Sequence, residues 1–380
     1  MLGRLGVLLI ASLVVGAAAC QGPAPSAAGT GAATAGPAAA NGGAGSAAAG
    51  PSQASAAASP AALPPLQPAV PVNVAFVQSI GNAGIYVALE RGYFQEQGLE
   101  VETHNFRSTA EFMPALARGD IQVGTADINA GFLNILGREV DLRFVADRGT
   151  TPPGAGWYAV MVRSGIADQF HDYRDLAGRT VSLSFEGAFN HWLLGVMLER
   201  GGLTFDDVNV TFIPPADVAA ALANGTLDVI PTFEPTNTVL IENGWAVRWR
   251  GVDEILPNAQ IVVIAYAPRF AEEKPEAARR WMLAYLKGVR EYNDAYHKGI
   301  NRDAVVQMLT QATAVKDPAM WNKMVWPALH GDGTINVASI RQGEEWFLKQ
   351  GMVRQRADLD RFVDPSFAEW AVAQLGGPYR

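Results

Sequence analysis

Apolar and polar positions follow two different periods along the chain, and together they predict an α/β protein. Short apolar runs at 72–77, 99–103 and 142–146 have the length and residue types of buried strands. Between such runs, apolar residues recur at helical spacing, as in 85–97. Strands and helices alternate in chain order, and this order makes a parallel sheet the default prediction.

One helix-and-strand pattern occurs twice. Residues 112–130 read FMPALARGDIQVGTADINA, and residues 218–235 read VAAALANGTLDVIPTFEP. Each copy indicates the end of an amphipathic helix, a glycine that accepts the left-handed C-cap conformation (Gly119 or Gly225), and a short buried strand. Open α/β sheets bind ligands beyond the carboxyl ends of their strands. The two copies therefore predict two similar lobes whose edge loops face each other across a cleft.

Two further apolar runs, at 157–162 and 260–267, bracket the second copy. The chain is therefore expected to leave the first lobe once and return once, and the two crossing segments are expected to form a hinge. We assign 71–157 and 266–380 to the first lobe, which includes the C-terminal helices, and 158–265 to the second. Each lobe is predicted to be a mostly parallel sheet flanked by helices.

The first 70 residues are expected to lie outside both lobes. Residues 1–19 combine one Arg, an apolar run and small residues, which is typical of a signal peptide and too short for a convincing spanning helix. Small residues directly before Cys20 resemble a bacterial lipoprotein signal, in which the cysteine becomes the lipidated N-terminus. Ala17, where Leu is commoner, leaves ordinary signal-peptidase cleavage open. Residues 20–70 are rich in Ala, Gly, Pro and Ser and predict a flexible tether on the outer face of a bacterial cell membrane.

Composition narrows the function to binding. The formal net charge is −8, and no basic stripe is present, so a nucleic-acid partner is not expected. A single cysteine excludes a disulfide framework and cysteine-based metal clusters. The five histidines lack zinc-site spacing, and the sequence has no GxSxG, Walker or dinucleotide-binding motif. We therefore expect no catalytic residue, no metal, no cofactor and no enzyme activity.

Aromatic and amide side chains collect where predicted strands end and helices begin. Rings stack on flat π-systems, while amides and a carboxylate satisfy the hydrogen-bonding edge of a heterocycle. An anion pocket would instead need Arg or Lys near helix N-termini, and Glu186 and Glu234 would repel an anion. The Glu234 carboxylate is expected to point into the cleft, with capping of the following helix as the alternative. The predicted ligand-binding residues are Asn82, Asp127, Asn129, Trp157, Tyr158, Phe185, Glu186, Phe189, Asn190, Trp192, Phe233 and Glu234.

Four segments carry a resemblance to a known family: IYVALERGYFQEQGLEVE (85–102), PALARGDIQVGTAD (114–127), DLAGRTVSLS (175–184) and DVIPTFEP (228–235). They resemble the solute-binding proteins of ABC importers for nitrate, sulfonates, taurine and thiamin-precursor pyrimidines. The resemblance implies the two-lobed, type II-like periplasmic-binding-protein fold, with ligand enclosed by hinge bending. It also implies a permease and an ATPase as partners; we expect a monomer.

The resemblance also bears on the site and its ligand. Phe233-Glu234-Pro235 matches an aromatic-Glu-Pro motif at the family's ligand loop, and Ser184 to Gly187 matches the ligand-facing start of a second-lobe helix, which adds Ser184 to the predicted site. The ring-rich, acidic cleft is more similar to the vitamin-precursor branch, with riboflavin or a thiamin pyrimidine as candidates and the larger flavin favoured by the number of rings. A sulfonate- or taurine-type binding protein, a pyrimidine-synthase-like enzyme and a sensory binding protein are the alternatives. The single cysteine argues against the synthase, which carries a Cys-rich motif.

Overall fold

The computed structural model describes residues 63–136 and 141–380. The predicted signal peptide, Cys20 and most of the predicted tether lie outside the described residues. Within the described ranges, every helix is too short or too polar to cross a membrane.

Ten strands form two five-stranded sheets in the described part of the chain. The strands are β1 (Val70–Val77), β2 (Leu99–Phe106), β3 (Val123–Asp127), β4 (Arg143–Thr150), β5 (Tyr158–Arg163), β6 (Thr180–Ser182), β7 (Asn209–Thr211), β8 (Val229–Phe233), β9 (Ala246–Gly251) and β10 (Gln260–Tyr266). The first sheet has the order β2-β1-β3-β10-β4, and the second has the order β7-β6-β8-β5-β9.

Fifteen α-helices flank these sheets among the described residues. They are α1 (Ala83–Glu90), α2 (Tyr93–Glu96), α3 (Thr109–Arg118), α4 (Ala130–Leu136), α5 (Phe189–Gly201), α6 (Val218–Asn224), α7 (Thr236–Glu242), α8 (Val252–Ile255), α9 (Pro268–Glu273), α10 (Pro275–His297), α11 (Arg302–Ala312), α12 (Pro318–Lys323), α13 (Val337–Lys349), α14 (Leu359–Phe362) and α15 (Ser366–Gln374). The helix predicted over 85–97 is divided into α1 and α2 because Gly92, with φ 72°, adopts a left-handed conformation between them.

Each sheet contains one strand that opposes the other four. Strand β10 runs antiparallel between β3 and β4, and β5 runs antiparallel between β8 and β9. The remaining pairings are parallel. The prediction of a mostly parallel sheet in each lobe is confirmed. Strands β5 and β10 are the exceptions, because each follows a crossing segment and enters its sheet from the opposite end. Residues 260–265, assigned from sequence to the second lobe, pair within the first sheet.

The duplicated pattern has the same structure in both copies. Helices α3 and α6 end at glycines with φ 84° and 81°, and strands β3 and β8 follow them. Strand β3 extends to Asp127 and strand β8 extends to Phe233, so both of these residues end their strands. Each of the two strands lies third in its sheet, between a parallel and an antiparallel neighbour. The four parallel strands therefore have the same order in both sheets, as a duplication predicts, whereas the antiparallel strand comes last in the chain for the first sheet and first for the second.

Helices α1 and α10 cross in direct backbone contact. A Cβ added to Gly288 would lie 2.3 Å from the carbonyl oxygen of Gly84, and a Cβ added to Gly84 would lie 2.5 Å from Val289. The fully buried rings of Trp281 and Tyr285 stack on each other along α10. This crossing fixes the position of α1, whose N-terminal end carries residues of the site described below.

Glu344 is a fully buried carboxyl group on α13 and gives the fold a specific pH dependence. One of its oxygens accepts a hydrogen bond from the Ala357 N–H at 2.6 Å, and the other has no partner among the described residues. Burial raises the pKa of Glu344, and the Ala357 N–H and Arg356 oppose this. Protonated Glu344 therefore contributes to the free energy of unfolding. This contribution is complete below the pKa that Glu344 has in the unfolded chain, and it is lost as pH rises through the higher pKa of the folded protein.

We expect this dependence to disappear in Glu344→Gln. As pH falls from 7 to 4, the free energy of unfolding of the wild type should increase relative to that of Glu344→Gln, because only the wild type takes up a proton at this site. Urea denaturation at each pH measures the difference. Glu369→Gln, at an exposed position, is the control and should stay at a constant difference from the wild type. The same constant difference for Glu344→Gln would contradict the prediction.

Candidate functional site

A cavity of about 390 Å³ lies where the strand ends of the two sheets meet. Its volume falls at the small end of the range for small-molecule pockets, about 300–1,000 Å³. Residues that follow β1 and β3 line it from the first sheet, residues that follow β6 and β8 line it from the second, and residues 314, 315 and 327 of the C-terminal region complete the wall.

Ten of the thirteen residues predicted from sequence line this one cavity. They are Asp127, Asn129, Trp157, Tyr158, Ser184, Phe185, Phe189, Asn190, Phe233 and Glu234. They come from four separate parts of the chain, so the fold brings together side chains that sequence analysis could group only by their position at strand ends. Contact with a ligand remains a prediction for each of them.

Three predicted residues, Asn82, Glu186 and Trp192, are not among the residues that line the cavity. Asn82 is buried with its amide oxygen turned towards Arg148. Glu186 is exposed to solvent. Trp192 is buried one helical turn beyond Phe189, where α13 covers it and Gly343 packs against its ring. Position near a strand end or helix start therefore predicts closeness to the site but not the direction of the side chain.

Aromatic rings in mutual contact form one wall. The Tyr158 ring lies 5.9 Å from Trp157, 5.6 Å from Phe189 and 5.8 Å from Phe233, measured between ring centroids. The indole N–H of Trp157 donates to the carbonyl oxygen of Thr150 at 2.8 Å, which fixes the ring at the first crossing segment. Trp157, Tyr158 and Phe189 are buried, whereas Phe233 remains 45% exposed at the mouth. The wall is therefore rigid inside and open at one end.

Arg148 is a buried cation in this cavity, and sequence analysis missed it. Its side chain donates from Nε and Nη2 to Oδ1 of Asn82 at 2.8 and 2.6 Å, and from Nη2 to Oγ of Ser79 at 2.7 Å. Within the described residues, no carboxylate oxygen lies within 4.0 Å of its nitrogens, and Nη1 has no hydrogen-bond partner. A Cβ added to Gly81 would lie only 2.7 Å from Nη1, so a larger residue at this position would require the guanidinium to shift.

The expectation that the cavity lacks a cation near a helix N-terminus is therefore wrong. Ser79 and Asn82, which hold Arg148, directly precede the first turns that lead into α1. Asp127 balances the charge of Arg148 only partly. Burial raises the pKa of Asp127, and the positive charge of Arg148 lowers it. Burial lowers the pKa of Arg148, and the negative charge of Asp127 raises it. The sequence did contain a signal for this buried cation, because the charged pair Asp147-Arg148 follows directly on an apolar strand.

Most amides of the site hold protein loops. Oδ1 of Asn129 accepts a hydrogen bond from the Phe132 N–H at 2.9 Å and so caps α4. Nδ2 of Asn190 donates to Oγ of Ser184 at 3.0 Å. Asp127, at the end of β3, accepts from the Thr109 hydroxyl at 3.1 Å. Arg148 and Asp127 therefore provide the main charged chemistry of the cavity, and the rest of its surface is largely apolar.

Glu234 is also committed to protein contacts. It is 1% exposed, and its two oxygens accept hydrogen bonds from the Thr238 N–H at 3.0 Å and the Val325 N–H at 3.4 Å. The first bond caps α7, as the alternative interpretation of the sequence proposes. The second joins the end of the second-sheet strand β8 to the C-terminal region. Burial raises the pKa of Glu234, and the Thr238 N–H opposes this.

Glu234→Gln is therefore expected to affect stability more than binding. Gln keeps one acceptor oxygen but places an amide donor against a backbone N–H, and loss of a hydrogen bond to a charged group costs about 1.5–3 kcal/mol. Urea denaturation should show this loss, while the affinity for a neutral solute changes less than threefold. Glu242→Gln, on the exposed part of α7, removes only an ion pair with Lys323 and should cost less than about 1 kcal/mol. Unchanged stability with a large loss of affinity would instead identify Glu234 as a ligand group.

The chain is similar to a known family model and to curated binding proteins. The model of the NMT1-like family matches residues 66–310. A relative in Escherichia coli strain K12, whose name refers to aliphatic sulfonate binding, is 29% identical over 180 residues, which are 46% of this chain. The match spans about half of that relative's length, 53%.

Solved structures show the same fold. The alkanesulfonate-binding protein SsuA from Xanthomonas axonopodis pv. citri, bound to MOPS, has a TM-score of 0.60 at 17% identity, covering 78% of this chain and 98% of its own. The desulfurization enzyme DSZB has a TM-score of 0.57 at 18% identity, covering 80% and 99%. The periplasmic-binding-protein fold inferred from the sequence resemblance is confirmed. At these identities the similarity extends to the fold alone.

Proposed function

The chain belongs to the NMT1-like family, and on that premise we propose that it is the extracytoplasmic solute-binding protein of an ABC importer. The observation that carries the proposal is a cavity built from corresponding strand ends of two sheets with the same spatial strand order. The partners are then a permease and an ATPase, and the protein acts as a monomer anchored through Cys20. Intact-mass analysis of membrane-derived protein tests the anchor, and an unmodified N-terminus would contradict it.

The proposed solute is a flat heteroaromatic vitamin or vitamin precursor, riboflavin or a thiamin pyrimidine. Support comes from the rings of Trp157, Tyr158 and Phe189, which present a rigid apolar wall suited to stacking. The polar atoms of Asp127 and Arg148 stand near this wall and suit a hydrogen-bonding edge. The cavity's small volume favours the pyrimidine, since a flavin would extend its side chain through the mouth.

A sulfonate is the second candidate, and Arg148 is the observation that favours it. A buried guanidinium with one free nitrogen and no close carboxylate is suited to an oxyanion. The names of the related proteins point in the same direction. Asp127 would oppose an anion, so this candidate requires the solute to approach Arg148 from the side of Gly81.

The first experiment identifies the solute directly. Protein purified gently from its source is denatured, and the released molecule is analysed by mass spectrometry and absorbance. Calorimetric titration of riboflavin, hydroxymethylpyrimidine and taurine then compares the candidates. If riboflavin or hydroxymethylpyrimidine binds and taurine does not, the vitamin proposal is supported. If only taurine binds, the vitamin proposal is overturned in favour of the sulfonate. If none of the three compounds binds and no molecule is released on denaturation, both solute proposals are overturned. Turnover of the bound molecule would point to an enzyme, and capture of a receptor to the sensory alternative.

Phe185 provides a test of the aromatic wall with little cost to the fold, because its ring is 50% exposed and lines the cavity. Phe185→Ala is expected to weaken binding of the heterocycle by about 1–2 kcal/mol, or five- to thirtyfold, through loss of ring contact. The matched control is Phe212→Ala, since Phe212 is 53% exposed but does not line the cavity. Equal effects of the two changes on titrations with hydroxymethylpyrimidine would contradict the assignment.

A further inference from the structure

A second cavity, larger than the first, lies beside the two links between the sheets. Residues 151–157 lead from β4 in the first sheet to β5 in the second, and residues 252–259 lead back from β9 to β10. Residues 152–155 of the first link and Asn258 of the second line this cavity, and most of its remaining wall comes from α10 and the segment 326–336. Its volume is about 1020 Å³, at the upper end of the range for small-molecule pockets. We call it the link cavity.

The link cavity and the first cavity share a wall but no lining residue. Pro327 lines the first cavity, whereas its neighbours Trp326 and Ala328 line the link cavity. Thr150, which also lines the link cavity, donates its N–H to the carbonyl oxygen of Ala328 at 3.3 Å and accepts the indole N–H of Trp157 at 2.8 Å. A molecule in the link cavity would therefore contact the backbone that positions Trp157 in the first cavity.

The charges around the link cavity suit an anion. Its lining residues include no Asp or Glu, whereas those of the first cavity include Asp127 and Glu234. Arg302 supplies the permanent charge of the lining. The Cζ atom of Arg302 lies 4.6 Å from the centroid of the Trp326 ring, and among the described residues no carboxylate oxygen lies within 4.0 Å of its nitrogens. Arg302 is therefore oriented by a ring and is not neutralised by an ion pair.

The hydrogen bonds of Arg302 leave donors for a ligand. Its three side-chain nitrogens donate to oxygens of Asn322, Ala295 and Trp321 at 3.3–3.4 Å, which is longer than the usual 2.7–3.2 Å for an N–H···O bond. A guanidinium carries five N–H groups. Because these three weak bonds use one N–H on each nitrogen, two N–H groups remain available to an oxyanion.

His330 adds a neutral donor to the same lining. Its Nδ1 accepts the backbone N–H groups of Asp332 and Thr334 at 3.2 and 3.4 Å. The ring proton therefore belongs on Nε2, which can donate to a ligand. The Asp332 carboxylate, which is close in sequence, is paired with Arg290 at 2.7 Å.

We propose that the link cavity is a second ligand site, which binds a small organic anion with an apolar body. Arg302 and Nε2 of His330 bind the oxyanion, and apolar side chains such as Pro152 and Ile335 contact the body of the ligand. The ligand acts as an effector, because it contacts both links between the sheets and the wall that holds Trp157, so its binding and the arrangement of the first cavity are coupled. The site does not depend on which solute enters the first cavity.

Calorimetric titration of the full chain with 1-naphthoate tests the site, and 1-naphthamide is the neutral analogue. We expect naphthoate to bind at least about tenfold more tightly than naphthamide, and Arg302→Met to remove this difference, because a hydrogen bond to a charged group is lost. His330→Asn keeps an acceptor for the two backbone N–H groups but removes the Nε2 donor, and it should weaken naphthoate binding about fivefold. Arg354→Met, at an exposed position, is the control and should have no effect.

Two further variants identify the cavity that is occupied. Thr334 is exposed and lines the link cavity, so Thr334→Trp should fill the cavity and abolish naphthoate binding without removing Arg302 or His330. Phe185→Ala alters the first cavity alone and should leave naphthoate binding unchanged. If Phe185→Ala weakens binding and Thr334→Trp does not, the anion occupies the first cavity and the proposal is wrong. Equal affinity for naphthoate and naphthamide, or binding of neither, would also overturn it.

The NMR signal of the Trp157 indole N–H tests the coupling between the cavities. Once assigned through Trp157→Phe, this signal should shift when naphthoate is added to the wild type and should stay in place in Thr334→Trp. Binding of naphthoate without a shift would contradict the effector role. None of these measurements uses a solute of the first cavity, so a negative result here leaves the proposed function standing.

Discussion

Gly288→Ala is expected to lower the free energy of unfolding by about 3 kcal/mol, at the upper end of the usual cost of overpacking. The added Cβ would lie 2.3 Å from the Gly84 carbonyl oxygen and 2.9 Å from the Ala88 nitrogen. These are backbone atoms, so no side-chain rotation relieves the contact, and α1 and α10 must move apart. The gain in helix propensity from Gly to Ala, about 1 kcal/mol, offsets only part of this cost.

Urea denaturation measures the effect, and Gly165→Ala is the control. The nearest atom to a Cβ on Gly165 is the tip of the Arg163 side chain at 3.4 Å, which can move. Because α1 follows directly from Asn82, separation of the helices should also move the group that holds Arg148. Solute affinity is therefore expected to fall together with stability. A Gly288→Ala protein as stable as the control would show that the two helices do not meet at these glycines.

Arg148→Met is expected to weaken binding of an anionic solute by about 2–5 kcal/mol, at least thirtyfold, because a desolvated charge partner is lost. Stability should fall as well, by about 3 kcal/mol. The amide oxygen of Asn82 would lose both of its guanidinium donors, and the buried Asp127 would lose the charge that opposes the rise of its pKa.

Two variants separate charge from packing at this site. Arg148→Lys keeps the positive charge and should retain more anion affinity than Arg148→Met, while Arg354→Met removes an exposed arginine and should have no effect. Titration with hexanesulfonate and with hydroxymethylpyrimidine supplies the comparison. A larger loss for the sulfonate supports Arg148 as the anion group. An equal loss for both solutes would mean that Arg148 only maintains the shape of the cavity.

The duplicated pattern was predictable because its signals are local. A helix that ends in glycine and leads into a short apolar strand is encoded within about fifteen residues, and both copies form this structure. Strand direction is different, since β5 and β10 have the same composition as parallel strands. Their direction depends on where the crossing segments enter each sheet, and the local sequence of a strand does not determine this point of entry.

The site was only partly predictable for a similar reason. Sequence position identified the rings around Tyr158, because strand ends converge in this fold class. It could not identify the partners of Arg148, which are 66 and 69 residues away in sequence. The sequence offered two roles for Glu234 but gave no sign of its second hydrogen-bond donor, Val325, which lies 91 residues further along the chain. Long-range hydrogen bonds determine which polar groups remain available to a ligand.

The position of β10 in the first sheet also constrains the order in which the protein can form. Among the strands that the structure describes, β4 pairs with β10 alone, so β4 lacks this partner until residues 260–266 have been made. The five strands of the second sheet are contiguous in sequence and complete by residue 251. During vectorial synthesis or export, the second sheet can therefore assemble while the first is still open. The sheet that begins at the N-terminal side of the fold is the last to be completed.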